Sequence, residues 1–100
     1  MNKVVDIIIN ATAQVFGVSV ERLCERTRDR EIIVARRASA WVCRKEGVPA
    51  RMLAERYGVS RWCVNRMQSE ASKSKDAFFL IHVKELERRI STLKAHEKLG

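Results

Sequence analysis

The stretch Leu53 to Met67, LAERYGVSRWCVNRM, decides how this chain is read. Leu53, Ala54, Tyr57 and Val59 have the apolar or small character that one helix and its tight exit need, and Val64 and Met67 resume at helical spacing beyond them. Gly58 separates the two runs and Ser60 follows it. The order predicts a helix of about two turns, a residue able to enter the left-handed region, and a second helix capped by a hydroxyl. This is the pattern of a helix-turn-helix, with small Ala54 where the helices cross and β-branched Val64 plugging the second helix into the core. With those positions turned inward, Ser60, Arg61, Trp62, Asn65 and Arg66 stay on the outer face. They are residue types that a recognition helix presents to base edges and phosphates.

Working outward, Val4, Val5, Ile8, Ile9, Thr12, Val15 and Phe16 keep helical spacing and Gly17 closes the run, which predicts a first helix over residues 3–16. Ser19 caps a second helix of barely two turns, with Val20, Leu23 and Cys24 facing in. A third is expected from Arg30 to Glu46, its stripe formed by Ile33, Val34, Ala38, Trp41 and Val42, with Trp41 in the core. Gly47 ends it, and Pro49 stands where the next helix has no need of an N–H. Ser69 to Asp76 reads as a fraying end and connector. From Ala77 the positions Phe79, Val83, Leu86, Ile90 and Leu93 alternate four and three, close to a coiled-coil seam, and Phe78 and Ile81 thicken its start. No alternating β-branched run suggests a strand. The expected architecture is all-α: a compact helical bundle over residues 1–76 with the helix-turn-helix at about 49–69, and a long C-terminal helix over 77–100.

One hundred residues are enough for one domain with a single core. Twenty Lys and Arg against twelve Asp and Glu give +8, and the excess is greatest over residues 51–75, which sum to +4. Such a field draws polyanions and gives salt-dependent affinity through counterion release. The apolar run Val4 to Ile9 is short and interrupted by Asp6, which excludes a signal core or a membrane span as its reading. Cys24, Cys43 and Cys63 lie about twenty apart without a C-x-x-C, and His82 and His96 are far downstream, so neither zinc nor a disulfide framework is expected. A reducing cytoplasm fits that usage. The two histidines share one helix, and neither a phosphate-cradling glycine loop nor a Ser/His/Asp set can be assembled, so the expectation is a protein without catalysis, cofactor or metal.

Three segments carry a resemblance to a known family: the first helix ending in VFGVSVERL, the run VARRASAWVCRKEG, and DAFFLIHVKEL. Together they resemble the C-terminal duplex-binding domain of the bacterial replication initiator DnaA, a Trp-repressor-like helical fold, over about Val4 to Leu86. The resemblance implies that Arg36 reaches into a minor groove beside the recognition helix. At the family's hallmark, a Gly-rich turn followed by Asp-His-Ser/Thr-Thr-Val, this chain reads GVSRWCV. Only Val64 matches, so the family's target sequence is not carried over. No G-x-x-x-x-G-K-[ST] occurs, and an ATPase module is not expected within these residues.

Arg61, one residue past the cap, can pair with guanine O6 and N7, at a helix end whose dipole disfavours a cation. Asn65 can bridge adenine N6 and N7, and Arg66 can take a base or a phosphate. Trp62 has two readings, a contact with a thymine methyl or sugar, or an indole folded back on the preceding helix. Arg36 and Arg37, with Arg28 and Arg30, form a possible second phosphate-facing patch in which Glu25, Asp29 and Glu31 interleave. Lys73 and Lys75 resemble backbone clamps. The expected partner is double-stranded DNA, for a small regulator of transcription or replication. The seam Phe79, Val83, Leu86, Ile90 and Leu93 offers a homodimer contact, and a protein-interaction adaptor using the same C-terminal helix is the alternative function.

Overall fold

The computed structural model describes residues 3–99, and for 96–99 the backbone alone. His96 therefore lies outside the described side chains. The described residues form six helices and no strand: α1 Lys3–Phe16, α2 Val20–Leu23, α3 Arg30–Lys45, α4 Ala50–Tyr57, α5 Arg61–Lys73 and α6 Ala77–Leu99. Local chemistry sets most of the boundaries. Ser19, Asp29 and Ser60 each accept a backbone N–H of the helix they open, from Arg22, Glu31 and Cys63 at 3.0, 3.2 and 3.2 Å. Gly17, Gly47 and Gly58 adopt φ of 67°, 74° and 65° as the chain leaves α1, α3 and α4. After each, the next N–H returns to a carbonyl of the last turn, Val18 to Ala13, Val48 to Cys43 and Val59 to Ala54, at 2.9, 2.9 and 3.0 Å.

Helix α3 is the central element, packed against each of the other five. Its buried side is Ile32, Ala35, Arg36, Ala38, Ser39, Ala40, Val42 and Cys43. This corrects the expected stripe, because Ile33, Val34 and Trp41 are only half-buried. The physical reason is that a helix enclosed on several sides needs a broad inner face, and small residues there let neighbouring backbones approach closely. Trp41 instead lies at the rim, with the Lys45 ammonium 5.6 Å from its ring centroid.

Three further expectations are revised. Helix α2 is a single turn of four residues, not two. Helix α5 does not fray after Met67 but continues to Lys73, because Ala71 is buried and the Gln68 amide donates to the Ala40 carbonyl of α3 at 3.1 Å. In α6, Phe79, Val83, Leu86 and Ile90 are buried, and the helix packs on α1 and α3, so four of the five residues of the proposed dimer seam belong to this chain's own core. A homodimer through that stripe would require α6 to leave its place. Phe78, Ile81 and Leu93 are exposed, as is Leu80, so the stripe is not thickened at its start. Polar ties flank the α6 seat: Lys45 to Glu87 at 3.3 Å, Glu46 to Lys94 at 2.6 Å, and Gln14 to Arg89 at 3.2 Å. No described helix is long and apolar enough to cross a membrane.

The turn between α4 and α5 allows a specific test. A Cβ added at Gly58 meets nothing within 4 Å, so the cost of a side chain there comes from its φ of 65° and not from a clash. Gly58→Val should therefore lower the unfolding free energy by more than ~1 kcal/mol, and Gly58→Asn by less than Val does, since Asn tolerates the left-handed region. Equal melting temperatures for the three proteins in thermal denaturation would show that this conformation is not imposed by the turn.

Candidate nucleic-acid interface

Helix α5 shows two chemically different faces. Val64, Gln68 and Ala71 turn inward, while Ser60, Arg61, Trp62, Asn65 and Arg66 are all exposed, as the sequence led one to expect. The Ser60 hydroxyl is engaged as the cap of α5, which orients the first turn. Arg61 and Asn65, one helical turn apart, have side chains without a hydrogen bond or ion pair among the described residues. Of the two readings of Trp62, the structure has the indole outside: it is 66% exposed, with the Arg66 guanidinium 5.6 Å from its ring centroid.

Besides its direct seat on α3, α5 is held from behind through α4. The Tyr57 hydroxyl and Ser39 Oγ lie 2.6 Å apart, and the Ser39 hydroxyl donates to the Arg36 carbonyl at 2.7 Å, which leaves Tyr57 as the donor of the first bond. Burial pushes the Tyr57 phenol well above its ordinary range, and the bond to Ser39 only partly opposes that. An ion pair of Arg56 with Asp6 ties α4 to α1 as well. The turn and the start of α5 are thus carried on a rigid base.

Arg36 departs from what the family resemblance implied. It is 7% exposed, its Nε donates to the Leu23 carbonyl at 2.8 Å, and its Nη2 donates to the Glu25 carbonyl. The guanidinium also stands 5.4 Å from the Tyr57 ring centroid. Placed so, it is an internal strut between α3 and the end of α2, not a group free to enter a groove. The reason is geometric, since α3 is turned so that this position faces the core and the carbonyls that end α2 receive the charge.

Arg37, the next residue, is partly exposed and pairs through Nη2 with Glu70 of α5 at 2.7 Å. The other Glu70 oxygen accepts from Arg66 Nε at 3.2 Å, so one carboxylate joins two residues of the expected interface. Sequence reasoning did not single out Glu70; its i+4 distance from Arg66 was the available signal. Beside it opens a cleft of about 610 Å³ between the start of α3, the end of α5 and the start of α6. Arg28, Arg30, Arg37 and Lys73 line it, and Ile33, Val34 and Phe79 contribute apolar surface. Two of the acids expected to interleave with this patch are engaged elsewhere, because Arg22 takes Glu25 at 3.4 Å and Asp29 at 2.7 Å. Arg28, Arg30 and Lys73 have no ion pair among the described residues. Lys75, on the connector, is exposed.

The cysteines are free thiols. Cys43 is buried and its thiol is pushed up to about 12, chiefly by desolvation, and desolvation also raises Cys24. A chemically inert packing role follows for Cys43. No protein-family model matches the chain, and no curated protein matches it.

The strut role of Arg36 predicts a stability phenotype. Arg36→Ala leaves the Leu23 and Glu25 carbonyls without their donor and should lower the unfolding free energy by about 2–4 kcal/mol in a urea titration. Under conditions where the variant is still folded, its affinity for a duplex should stay within about twofold of wild type, a small change on the tenfold-per-1.4 kcal/mol scale. An undiminished stability with a large loss of affinity would return Arg36 to the interface.

Proposed function

We propose that this chain binds double-stranded DNA, setting the outer face of α5 in the major groove as the second helix of a helix-turn-helix, and acts as a small cytoplasmic regulator of transcription or replication. The observation that carries the reading is the exposed, unpaired Arg61 in the first turn of α5, alongside exposed Asn65. A cation in that turn is disfavoured by the helix dipole by about 0.3–1 kcal/mol, and no acidic residue stands in the first turn to offset it. A guanine edge or a phosphate would. Trp62 and Arg66 extend the same surface, and the cations of the neighbouring cleft lie where a sugar-phosphate strand passing the helix could be held.

The likeness to the duplex-binding domain of DnaA belongs to this proposal. It is supported by the helix order around the turn, while the divergent α5 face argues for a different target site. A second reading, a protein-interaction adaptor, is favoured by a separate observation: Phe78, Leu80 and Ile81 are exposed at 54%, 42% and 65% on the first turns of α6. Salt distinguishes the two. Duplex affinity falls steeply from low to physiological salt when phosphates are neutralised, whereas an apolar contact responds little.

Selection of bound duplexes from a random pool tests binding and specificity together. With the selected site in hand, Arg61→Ala and Asn65→Ala should each cost about 1–3 kcal/mol on that site and relax the preference at one base pair. Lys73→Ala should weaken selected and random duplexes alike. Equal losses on both kinds of DNA for all three variants, measured by fluorescence anisotropy, would remove α5 from the role of reading helix.

A further inference from the structure

Glu70 stands out as an anion in the middle of a cationic surface. Both of its oxygens are engaged, one by Arg37 Nη2 of α3 at 2.7 Å and the other by Arg66 Nε of α5 at 3.2 Å. Its side chain keeps 37% of its exposure and the two arginines keep 38% and 64%, so the three groups meet water and any ligand that arrives at this face. Around them Arg28, Arg30 and Lys73 line the adjoining cleft without an ion pair among the described residues. The second carboxylate of the cleft, Asp76, accepts from the backbone N–H of Phe78 at 3.1 Å and caps α6. Among the described residues of the cleft, Glu70 is the carboxylate that pairs with guanidiniums, those of Arg37 and Arg66.

A carboxylate held by two guanidiniums from different helices offers them what a backbone phosphate offers, two oxygens and a negative charge. We propose that Glu70 is a built-in competitor for phosphate, occupying Arg37 and Arg66 in the free protein and setting how strongly this face binds a phosphodiester backbone. The inference rests on the duplex-binding reading above and adds a residue that regulates the same site. A phosphodiester that reaches these arginines must displace a ligand already in place at high effective concentration. Exposed ion pairs are individually weak, which suits a contact that has to yield. The displaced carboxylate also remains beside the bound phosphate and repels it. Glu70 thus lowers affinity for the phosphate backbone, a contact common to every sequence, while Asn65 and Arg61, roughly one and a half and two and a half turns earlier on the same helix, are untouched.

The test compares wild type with Glu70→Gln on a short mixed-sequence duplex across a salt series. The expected result is an affinity roughly tenfold higher near 0.1 M salt for Glu70→Gln, and a log–log salt slope steeper by about one to two, as one or two additional phosphates are neutralised. Adding Arg37→Gln and Arg66→Gln to Glu70→Gln should abolish the gain. Binding by wild type with an unchanged affinity and slope in Glu70→Gln would overturn the inference and leave the duplex reading intact. No binding of any duplex by wild type would overturn the duplex reading, and this inference with it. If Glu70→Gln proves unfolded by circular dichroism, Glu70→Ala supplies the decision: a slope steeper by about one to two supports the inference, and an unaltered slope overturns it.

Discussion

A guanidinium buried in the middle of a helical domain has to be satisfied, and Arg36 is satisfied by the carbonyls of Leu23 and Glu25. An uncompensated charge at that depth would cost several kcal/mol, so the packing of α3 against the end of α2 is fixed by the need to bring those carbonyls to it. The same side of α3 presents Ser39, through which Tyr57 is held, and Tyr57 closes α4 immediately before the turn. The direction in which α5 leaves the turn is therefore set both by this polar network and by the seating of Val64, Gln68 and Ala71 on α3. Small residues complete the arrangement. Ala35, Ala38 and Ala40 are fully buried in α3, and their lack of bulk is what lets the helices around it approach.

Charge on this surface is governed less by how many arginines the chain has than by which acids reach which arginines. Arg22 gathers Glu25 and Asp29 on the far side of the loop before α3, leaving Arg28 and Arg30 without them. Glu85 does the same on α6, where hydrogen bonds from Arg88 and then Arg89 hold its carboxyl down at about 2. The +8 net charge of the sequence is thus sorted locally. Cations paired within one helix or loop contribute little outward field, and Arg61, Arg28, Arg30 and Lys73 are among those left without an ion pair in the described residues.

What could be read from the sequence was whatever is decided within a few residues. The caps Ser19 and Ser60, the left-handed glycines and the exposed residues of α5 depend on local backbone chemistry, and a short stretch carries that information. The inner face of α3 does not, because a rotation of about 100° separates the choice of Ile33 from that of Ile32, and only contact with several neighbours selects between them. The α6 stripe shows the same limit in another form. Its heptad-like spacing was legible, but spacing does not say whether an apolar seam meets a second chain or the first helix of its own. Arg36 could not be distinguished from Arg37 by type or position, although one is a buried strut and the other lies at the surface. Glu70 was overlooked because an isolated acid among cations reads as ordinary helix solvation until its partners on another helix are seen.

The seat of α6 also bears on the order in which the fold can be completed. Val5, Ile8 and Ile9 of α1 are buried in a core to which Phe79, Val83, Leu86 and Ile90 contribute, so the burial of α1 is complete only when α6, far later in the sequence, is seated. Until then α1 packs chiefly on α2 and α3, and joining α1 to α6 closes a long loop, at an entropic cost that grows only slowly with length. Completing the core is consequently an encounter between elements far apart in sequence, which weighs on the folding rate more than on stability.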